Sequence, residues 1–405
     1  MAKPELRLQG FEGDWNRVPL SKIAKFTKGS GYSKMDLKDS GFPIILYGRL
    51  YTNYETVIRE VDTYVTPKEN SVVSKGGEII IPASGETPED IACASVVENS
   101  GIILGGDLNI LSIDASSYDK AFTALAITYG PIHNELAKMA QGKTVVHLHN
   151  SEISKTQIYY PDNPVEQKAI VDYFMSFDSM IQAMTKKIES LKLMMSASLI
   201  SMFPQAGETK PRVRFKGFEG DWEDVSFNDI SYLAGTKNKD NLPLESYSIS
   251  NEFGFIPQNE QFENGGTMSN ADKRMYYIVT PDSFAYNPAR INVGSIGYDD
   301  LDKDVIVSSL YVVFKTDDDT YNPFLNYWFK TPMFKKMIEL YQEGGVRLYF
   351  FYDKLCNCHF RRPSLKEQER IATYFRSLDK QISLLEHRLE KLKQIKAACL
   401  DKMFV

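Results

Sequence analysis

Residues 166–203 read EQKAIVDYFMSFDSMIQAMTKKIESLKLMMSASLISMF, and residues 367–404 read EQERIATYFRSLDKQISLLEHRLEKLKQIKAACLDKMF. The two segments align without a gap and share the opening Glu-Gln, a Tyr-Phe pair and the closing Met-Phe. A repeat of this length indicates two copies of one structural unit, so the chain is predicted to be an internal duplication.

Both segments carry apolar residues at alternating steps of four and three, which is the heptad pattern of a coiled coil. Lys396 is the one polar position in the second copy. We therefore expect two long helices that pair along this seam, although a helix that packs only on its own domain is the alternative. The predicted seam residues are Ile170, Phe174, Phe177, Ile181, Met184, Ile188 and Leu191 in the first copy, and Ile371, Phe375, Leu378, Ile382, Leu385, Leu389 and Leu392 in the second.

The predicted helix starts are marked by Pro164 in the first copy and by Ser364 in the second. Proline is favoured in the first turn of a helix, and serine is a good N-cap. Glu367 stands three residues after Ser364, so the sequence predicts a capping box at this end.

A second, shorter repeat lies upstream of each long segment. The motif GFEGDW at residues 10–15 returns at residues 217–222, and Arg7 matches Arg214 at the same spacing. The layout is thus a short motif, a variable region and a long helix, twice over. We divide the chain into a first globular domain at 1–160, a helix at 161–206, a second globular domain at 207–362 and a final helix at 363–405.

The variable regions are predicted to be α+β globules. Short apolar runs predict strands at Glu78–Pro82, 101–104 and 304–307. The segments 121–140 and 322–340 are each predicted to form one or two helices. The expected fold class is therefore α+β, with two α/β globular domains attached to a pair of long helices.

Composition narrows the class of protein. The 405 residues carry a net charge of −6 and are 43% hydrophobic, as is typical of a globular chain. Acidic residues outnumber basic ones in both variable regions, which argues against coating nucleic acid by bulk positive charge. No apolar run is long enough for a spanning helix and no signal peptide is evident. The four scattered cysteines favour a reducing, cytoplasmic setting.

No catalytic motif is complete. Gly142-Lys143-Thr144 resembles the end of a phosphate-binding loop, but Ala137 stands where that motif requires glycine. His147 and His149 alternate on a predicted strand without a third metal ligand nearby, so DNA-facing or half-buried histidines are favoured over a metal site. The sequence predicts a binding protein, with no catalytic residue, no metal and no cofactor of its own.

The GFxGxW motif, the E-Q-x-x-I-x-x-Y-F opening of each long helix and the duplicated layout closely resemble the specificity (S) subunit of Type I restriction-modification systems. The resemblance implies two target recognition domains in a pseudo-twofold arrangement, each reading one half of a split site on double-stranded DNA. An antiparallel coiled coil of the two conserved helices would separate them and set the spacing. At about 1.5 Å per residue, a seam from 170 to 202 is roughly 50 Å long, which exceeds one turn of DNA.

The resemblance also implies partners. Methyltransferase (M) subunits, two in number, would dock on the conserved regions, and restriction (R) subunits would join through them. S-adenosylmethionine, ATP and magnesium would be bound by those partners, and no membrane is involved. The S subunit itself would not be an enzyme.

Candidate DNA contacts are side chains that donate to phosphates or base edges and lie near turns or glycines. In the first region they are Lys25, Lys28, Tyr32, Lys34, Tyr47, Arg49, Lys143, Thr144, His147 and His149. In the second region they are Lys237, Lys239, Asn287, Arg290, Asn292, Arg347 and Tyr349.

Two other functions are considered. The chain could be a protein-binding scaffold whose coiled coil organises partners and whose globules bind proteins or glycans. A stand-alone nuclease or methyltransferase is disfavoured by the missing motifs. Salt-dependent binding of duplex DNA would separate DNA recognition from scaffolding.

Overall fold

The structure is a computed structural model that describes residues 3–114, 116–142, 144–251, 254–261 and 272–404. The chain forms two compact units. The first unit combines Met1–Thr185 with His387–Val405, and the second unit is Lys186–Glu386. Each long helix therefore contributes residues to both units. Within the described residues, no helix is both long and apolar enough to cross a membrane.

The first unit contains a globule of short strands and helices followed by the first long helix. Its strands are β1 (Asn16–Pro19), β2 (Ala24–Lys28), β3 (Phe42–Ile45), β4 (Val57–Ile58), β5 (Tyr64–Val65), β6 (Val73–Lys75), β7 (Glu78–Pro82), β8 (Ser84–Gly85), β9 (Ser95–Val97), β10 (Ser100–Leu104), β11 (Leu108–Ile113), β12 (Val146–His147) and β13 (Gln157–Tyr160). Its helices are α1 (Leu20–Ile23), α2 (Arg49–Thr52), α3 (Pro88–Ile91), α4 (Lys120–Tyr129), α5 (Pro131–Met139), α6 (Asn150–Ile153) and α7 (Pro164–Ser201).

A five-stranded sheet in the order β2-β11-β7-β9-β4 forms the centre of the first globule. Its middle strands are buried because β7 is an apolar run, and α4 packs on them through Phe122 and Leu125. A four-stranded sheet, β5-β3-β10-β6, lies beside it with its own apolar cluster. Strand β1 pairs with β13, so the start and the end of the globule are joined.

The second unit repeats this plan. Its strands are β14 (Glu223–Ser226), β15 (Ser231–Leu233), β16 (Thr236–Lys237), β17 (Tyr247–Ser250), β18 (Gly254–Pro257), β19 (Tyr277–Val279), β20 (Phe284–Tyr286), β21 (Ile296–Tyr298), β22 (Val305–Val307), β23 (Val312–Thr316) and β24 (His359–Arg362). Its helices are α8 (Phe227–Ile230), α9 (Gln258–Gln261), α10 (Asn322–Trp328), α11 (Pro332–Tyr341), α12 (Tyr352–Cys356) and α13 (Leu365–Met403). The sheets have the orders β15-β23-β20-β21, β16-β19-β22 and β17-β18, and β14 pairs with β24.

The two globules have the same ends although their sequences differ. Each begins with a strand, a four-residue helix and a second strand, and each finishes with a helix pair, a short helix and a strand that returns to the first. Pro131 and Pro332 are the first residues of the second helix of each pair, a position where proline is tolerated. The predicted strands and both predicted helical segments are confirmed, each segment forming two helices.

The long helices α7 and α13 pair in opposite directions. In the first unit, Lys396 donates to the carboxylate of Asp178, and Cys399 lies 3.6 Å from the hydroxyl of Tyr173. Positions therefore rise along α7 as they fall along α13. The second unit shows the same sense, since Lys192 binds Glu386 at 2.7 Å and Ser198 lies 3.0 Å from the hydroxyl of Tyr374. The antiparallel coiled coil is thus present in both units.

The predicted seam is the least exposed face of both helices. Ile170, Phe174, Phe177, Ile188 and Leu191 are buried on α7, as are Ile371, Phe375, Leu378 and Ile382 on α13. The remaining predicted seam residues, Ile181, Met184, Leu385, Leu389 and Leu392, are half-buried. Lys396, the polar seam position, is accommodated by its ion pair with Asp178.

A phenylalanine that follows each long helix packs into a globule core. Phe404 contacts Trp15, Phe122 and Phe174 in the first unit. Phe203 makes the matching contacts in the second unit with Trp222, Phe324 and Phe375. The repeated Met-Phe that closes each long segment is therefore a core element.

Candidate DNA interface

A buried ion pair connects the short motif of the first half to its long helix. Arg7 donates to both oxygens of Glu166, from Nε and Nη2 at 2.7 Å each. Its remaining donors bind the carbonyl oxygens of Gly13 and Glu12, inside the repeated motif. Trp15 adds an indole donor to Glu166 at 3.3 Å. The side chain of Glu166 is only 3% exposed, so its charge is balanced almost entirely by protein groups.

The second half repeats this arrangement. Arg214 donates to both oxygens of Glu367, at 2.7 and 2.8 Å, and to the carbonyls of Gly220 and Glu219. The bond to Glu367 raises the pKa of the Arg214 guanidinium. The prediction that Glu367 completes a capping box is therefore wrong. Both oxygens of its carboxylate accept from Arg214 and not from the backbone at the start of its own helix.

The glutamine next to each of these glutamates ties the helix to the globule. Gln167 donates to the carbonyls of Pro161 and Ser117 and accepts from the backbone of Asp119. Gln368 makes the same three kinds of bond with Pro363, Asp319 and Tyr321. Sequence reasoning missed these contacts, although the matched Arg and Glu-Gln in both copies carried the signal.

Each globule also presents a hairpin directly after its helix pair. We call the described residues 141, 142 and 144–147 the first hairpin and residues 343–349 the second hairpin. Gln141 and His147 exchange two backbone bonds of 3.1 and 2.8 Å, and Glu343 and Tyr349 exchange two of 2.9 and 2.8 Å. The hairpins occupy the same place in the element order, between α5 and α6 and between α11 and α12.

Both hairpins depend on a glycine at their second position. Gly142 has φ +146° and Gly344 has φ +141°. A Cβ atom on Gly142 would lie 1.9 Å from the carbonyl oxygen of Val145, and one on Gly344 would lie 2.0 Å from that of Arg347. Only glycine fits such a close approach of two backbone segments. The structure thus shows that two groups of candidates, unrelated by sequence, occupy equivalent elements of the two globules.

Both halves of the chain match one family of DNA specificity domains. The sequence model of the Type I restriction modification DNA specificity domain matches residues 12–193 and again 219–394. The chain belongs to this family. Each half of the specificity subunit therefore contains one DNA specificity domain, and each domain contains one hairpin.

Solved structures agree on the fold of this specificity subunit. The crystal structure of a Type I restriction-modification S subunit from M. genitalium has a TM-score of 0.62 at 15% identity, covering 100% of this chain and 99% of that one. A structure solved to explain complex assembly and conformational transition of the type I R-M system has a TM-score of 0.54 at 16% identity. The match covers 97% of this chain and 98% of that one. A search of curated protein sequences finds no match.

Several predicted contacts of the first specificity domain lie on its surface. Lys25 and Lys28 are exposed on β2, and Lys34 is exposed in the turn that follows. Thr144 and His149 are exposed at the first hairpin and just after it, and Lys143 lies outside the described residues. The side-chain amide of Asn150 binds the carbonyl of Thr27 at 2.8 Å, which places the end of β2 beside the segment that follows the hairpin.

Tyr32 and Arg49 make contacts within the first unit. Tyr32 is buried, with the ammonium of Lys68 lying 4.4 Å from its ring centroid, and its hydroxyl binds Ser71 and the backbone of Lys68. Arg49 binds Glu55 at 2.8 Å and Asp62 at 2.9 Å, so its charge is already balanced by two carboxylates. Tyr47 is half-buried against an apolar cluster. Tyr32 and Arg49 are thus engaged by contacts within the unit, and their contact with DNA stays a prediction.

The histidines alternate as expected but on a shorter strand. His147 ends β12 and its Nδ1 lies 3.0 Å from the hydroxyl of Ser84. His149 lies outside the strand and precedes α6, its backbone amide bonding to Glu152. Both side chains are exposed, whereas Val146 and Leu148 are buried.

In the second specificity domain, five predicted contacts gather near the hairpin. The backbone amide of Phe350 donates to the carbonyl of Pro288 at 3.0 Å, which joins the hairpin to the segment that carries Asn287, Arg290 and Asn292. Arg290, Asn292 and Arg347 are exposed. Among the described residues, the guanidinium groups of Arg290 and Arg347 have no hydrogen-bond or ion-pair partner. Asn287 and Tyr349 are half-buried beside them.

Two further lysines lie in another part of this domain. The ammonium of Lys237 binds the carbonyl of Met275 at 2.9 Å and lies 3.9 Å from the ring centroid of Tyr277, so contacts within the domain orient it. Lys239 is exposed nearby. One donor of the Lys237 ammonium is therefore used within the domain, and no hydrogen bond or ion pair of the Lys239 ammonium is recorded among the described residues.

A buried carboxylate lies at the end of β21. Asp299 is fully buried, and one of its oxygens has no partner among the described residues. Burial, with added repulsion from Asp300 and Asp304, raises its pKa to about 7. This group belongs to the domain interior and not to the candidate interface.

Proposed function

We propose that each specificity domain of this subunit reads one half of a bipartite site on double-stranded DNA, and that the subunit has no catalytic activity of its own. Methylation and ATP-dependent cleavage would reside in partner subunits that bind S-adenosylmethionine, ATP and magnesium. The observation that carries the proposal is the double match to the DNA specificity family, combined with one equivalent hairpin in each half.

The interface is local, not a broad basic surface. Around the second hairpin, Arg290 and Arg347 supply donors suited to phosphates or guanine, and Asn292 supplies a donor and an acceptor suited to adenine. In the first domain, Lys25 and Lys28 have the same role beside the first hairpin. Because two different sets of side chains surround equivalent hairpins, the two half-sites are expected to differ in sequence.

The coiled coil would fix the spacing between the half-sites. A rigid helix pair holds its ends at a set distance, which a flexible linker cannot do. Helices α7 and α13 both contribute to each unit, so the same seam supports both domains. Methyltransferase subunits, two in number, would dock on the conserved frame, and restriction subunits would join through them.

We also propose a cytoplasmic location. The four cysteines all lie within the described residues, and each is a free thiol. Free thiols agree with a reducing compartment.

Mapping methylated adenines across a genome tests the proposal. The subunit is co-expressed with its methyltransferase partner, and one bipartite motif is expected. Arg347→Ala should relax the second half of the motif and leave the first intact, whereas Arg361→Ala, on β24, should change neither. Methylation without a bipartite motif, or equal loss at both halves in the Arg347 variant, would contradict the proposal. Partner assembly without sequence-specific DNA binding would instead favour a protein-binding scaffold.

A further inference from the structure

We propose that Val346 reads a thymine by contact with its 5-methyl group in the major groove of the second half-site. This inference rests on the proposed function and adds to it a specificity-determining residue that the sequence did not single out. It starts from the position of Val346 between Gly345 and Arg347 at the tip of the second hairpin.

The tip holds an apolar side chain in full contact with solvent. Val346 has a relative exposure of 103%, and Leu348 and Phe351 are 42% and 46% exposed. Tyr349 stacks on Phe351 with ring centroids 5.4 Å apart and planes only 3° from parallel. Scattered exposed apolar residues are ordinary, but a cluster flanked by cations marks an interaction surface. Here the flanking cations are Arg347 and Arg290.

The hairpin is held firmly enough to aim this side chain. Two backbone bonds close it between Glu343 and Tyr349, and the close contact of Gly344 with Arg347 fixes its bend. Lys354 binds Glu343 at 3.0 Å and ties the base of the hairpin to α12. The amide of Phe350 then bonds to Pro288. A rigid support limits the entropy lost when the tip binds.

The apolar side chain of Val346 favours contact with the 5-methyl group of thymine in the major groove. This groove admits a two-stranded ribbon, and the thymine methyl is the apolar feature that it displays. Side chains that wedge between base steps in the minor groove are typically longer, such as Phe, Leu, Ile or Met. Valine is short and branched, and so suits contact with one methyl group.

The first hairpin differs at the matching position. Aligning Gln141 with Glu343 places Thr144 opposite Val346. Threonine has nearly the same shape but carries a hydroxyl in place of one methyl group, and this hydroxyl can bond to base edges. The two hairpins therefore present different chemistry from one backbone design, as expected of domains that read different half-sites.

The test replaces thymines by deoxyuracil, which removes only the 5-methyl group. Duplexes carrying the mapped target, with each thymine of the second half-site replaced singly, are titrated with the complex of methyltransferase and specificity subunits. One replacement should weaken binding by about fourfold, the effect of one buried methyl group. In the Val346→Ala variant, the same thymine replacement should not weaken binding. The Val346→Thr variant keeps one methyl group, so it should retain most of the fourfold loss. Replacements in the first half-site should act alike on all three proteins.

The outcomes are distinct. The inference is wrong if no deoxyuracil in the second half-site weakens binding, if that half-site contains no thymine, or if Val346→Ala keeps the full penalty. A wild-type complex that binds no DNA sequence specifically would instead contradict the proposed function itself.

Discussion

The guanidinium of Arg214 donates two parallel hydrogen bonds of 2.7 and 2.8 Å to the carboxylate of Glu367, and the glutamate side chain is only 1% exposed. Arg7 and Glu166 form the same pair in the other half. A fork of guanidinium donors matches a carboxylate in a way that lysine cannot. The repeated motif and the opening of each long helix thus meet at one buried contact that frames each specificity domain.

Removing one member of this pair should be costly. Arg214→Ala leaves Glu367 buried without its cation, and we expect a loss of about 3–5 kcal/mol in the free energy of unfolding. The neighbouring Arg212→Ala is the matched control, because Arg212 is 62% exposed in its pair with Glu208 and surface pairs contribute about 0–1 kcal/mol. Urea unfolding followed by fluorescence measures both. Equal and small losses of unfolding free energy in the two variants would show that the buried pair does not stabilise the domain.

The phenylalanine that follows α13 should stabilise the first unit. Phe404→Ala removes a ring packed against Trp15, Phe122 and Phe174, and comparable core truncations cost about 3–5 kcal/mol. Leu193→Ala serves as control because Leu193 is 72% exposed. Urea denaturation compares the two variants, and hydrogen exchange in α4 reports whether the loss lies in the first unit. Unchanged protection in α4 would contradict the packing described.

Asp299 should make the second unit more stable in mild acid than in mild base. Its folded pKa of about 7 lies above the ordinary value of 3.8, so the folded state holds a proton that the unfolded state has lost. Stability from this group is therefore lost as pH rises from about 4 through 7. Asp299→Asn should stabilise the protein by on the order of 1–3 kcal/mol at pH 8, with the gain shrinking towards pH 5. A gain that is the same at both pH values would contradict this reading.

The second hairpin should tolerate a side chain at one glycine and not at its neighbour. Gly344→Ala forces a Cβ into the carbonyl of Arg347, whereas Gly345→Ala meets open space. We expect Gly344→Ala to weaken binding of the second half-site at least tenfold, the effect of displacing contacts worth about 1–3 kcal/mol. Gly345→Ala should stay near wild type, and the first half-site should be unaffected in both. Gel-shift titration with single-half DNA variants measures this, and equal affinities of the two variants would contradict it.

The paired long helices and the duplicated layout were predictable because the sequence segments that form them occur twice. The heptads around Phe174 and Phe375 predicted the paired helices, and the GFEGDW motif predicted the duplication. The contact of Arg7 with Glu166 was not inferred, because residues far apart in sequence pair only once the fold brings them together.

The exposure of the candidate DNA contacts in the folded protein was predictable only in part. Arg290 and Arg347 were chosen for residue type and turn context, and the fold leaves both exposed in one region. Tyr32 and Arg49 had equally suitable chemistry, but Tyr32 is buried and Arg49 is held in ion pairs, and both outcomes depend on tertiary contacts. Val346 escaped notice because an exposed valine has no polar signal, and only the geometry of its hairpin gives it a role.

The spacing of the half-sites tests the central claim most directly. One heptad is inserted after Thr185 in α7 and one after Glu386 in α13, at the boundary between the two units, so that the seam stays in register. Seven residues add about 10 Å, or about three base pairs. Mapping methylated adenines should then find both half-sites unchanged and the gap between them longer. An unaltered gap, with methylation retained, would show that the paired helices do not set the distance.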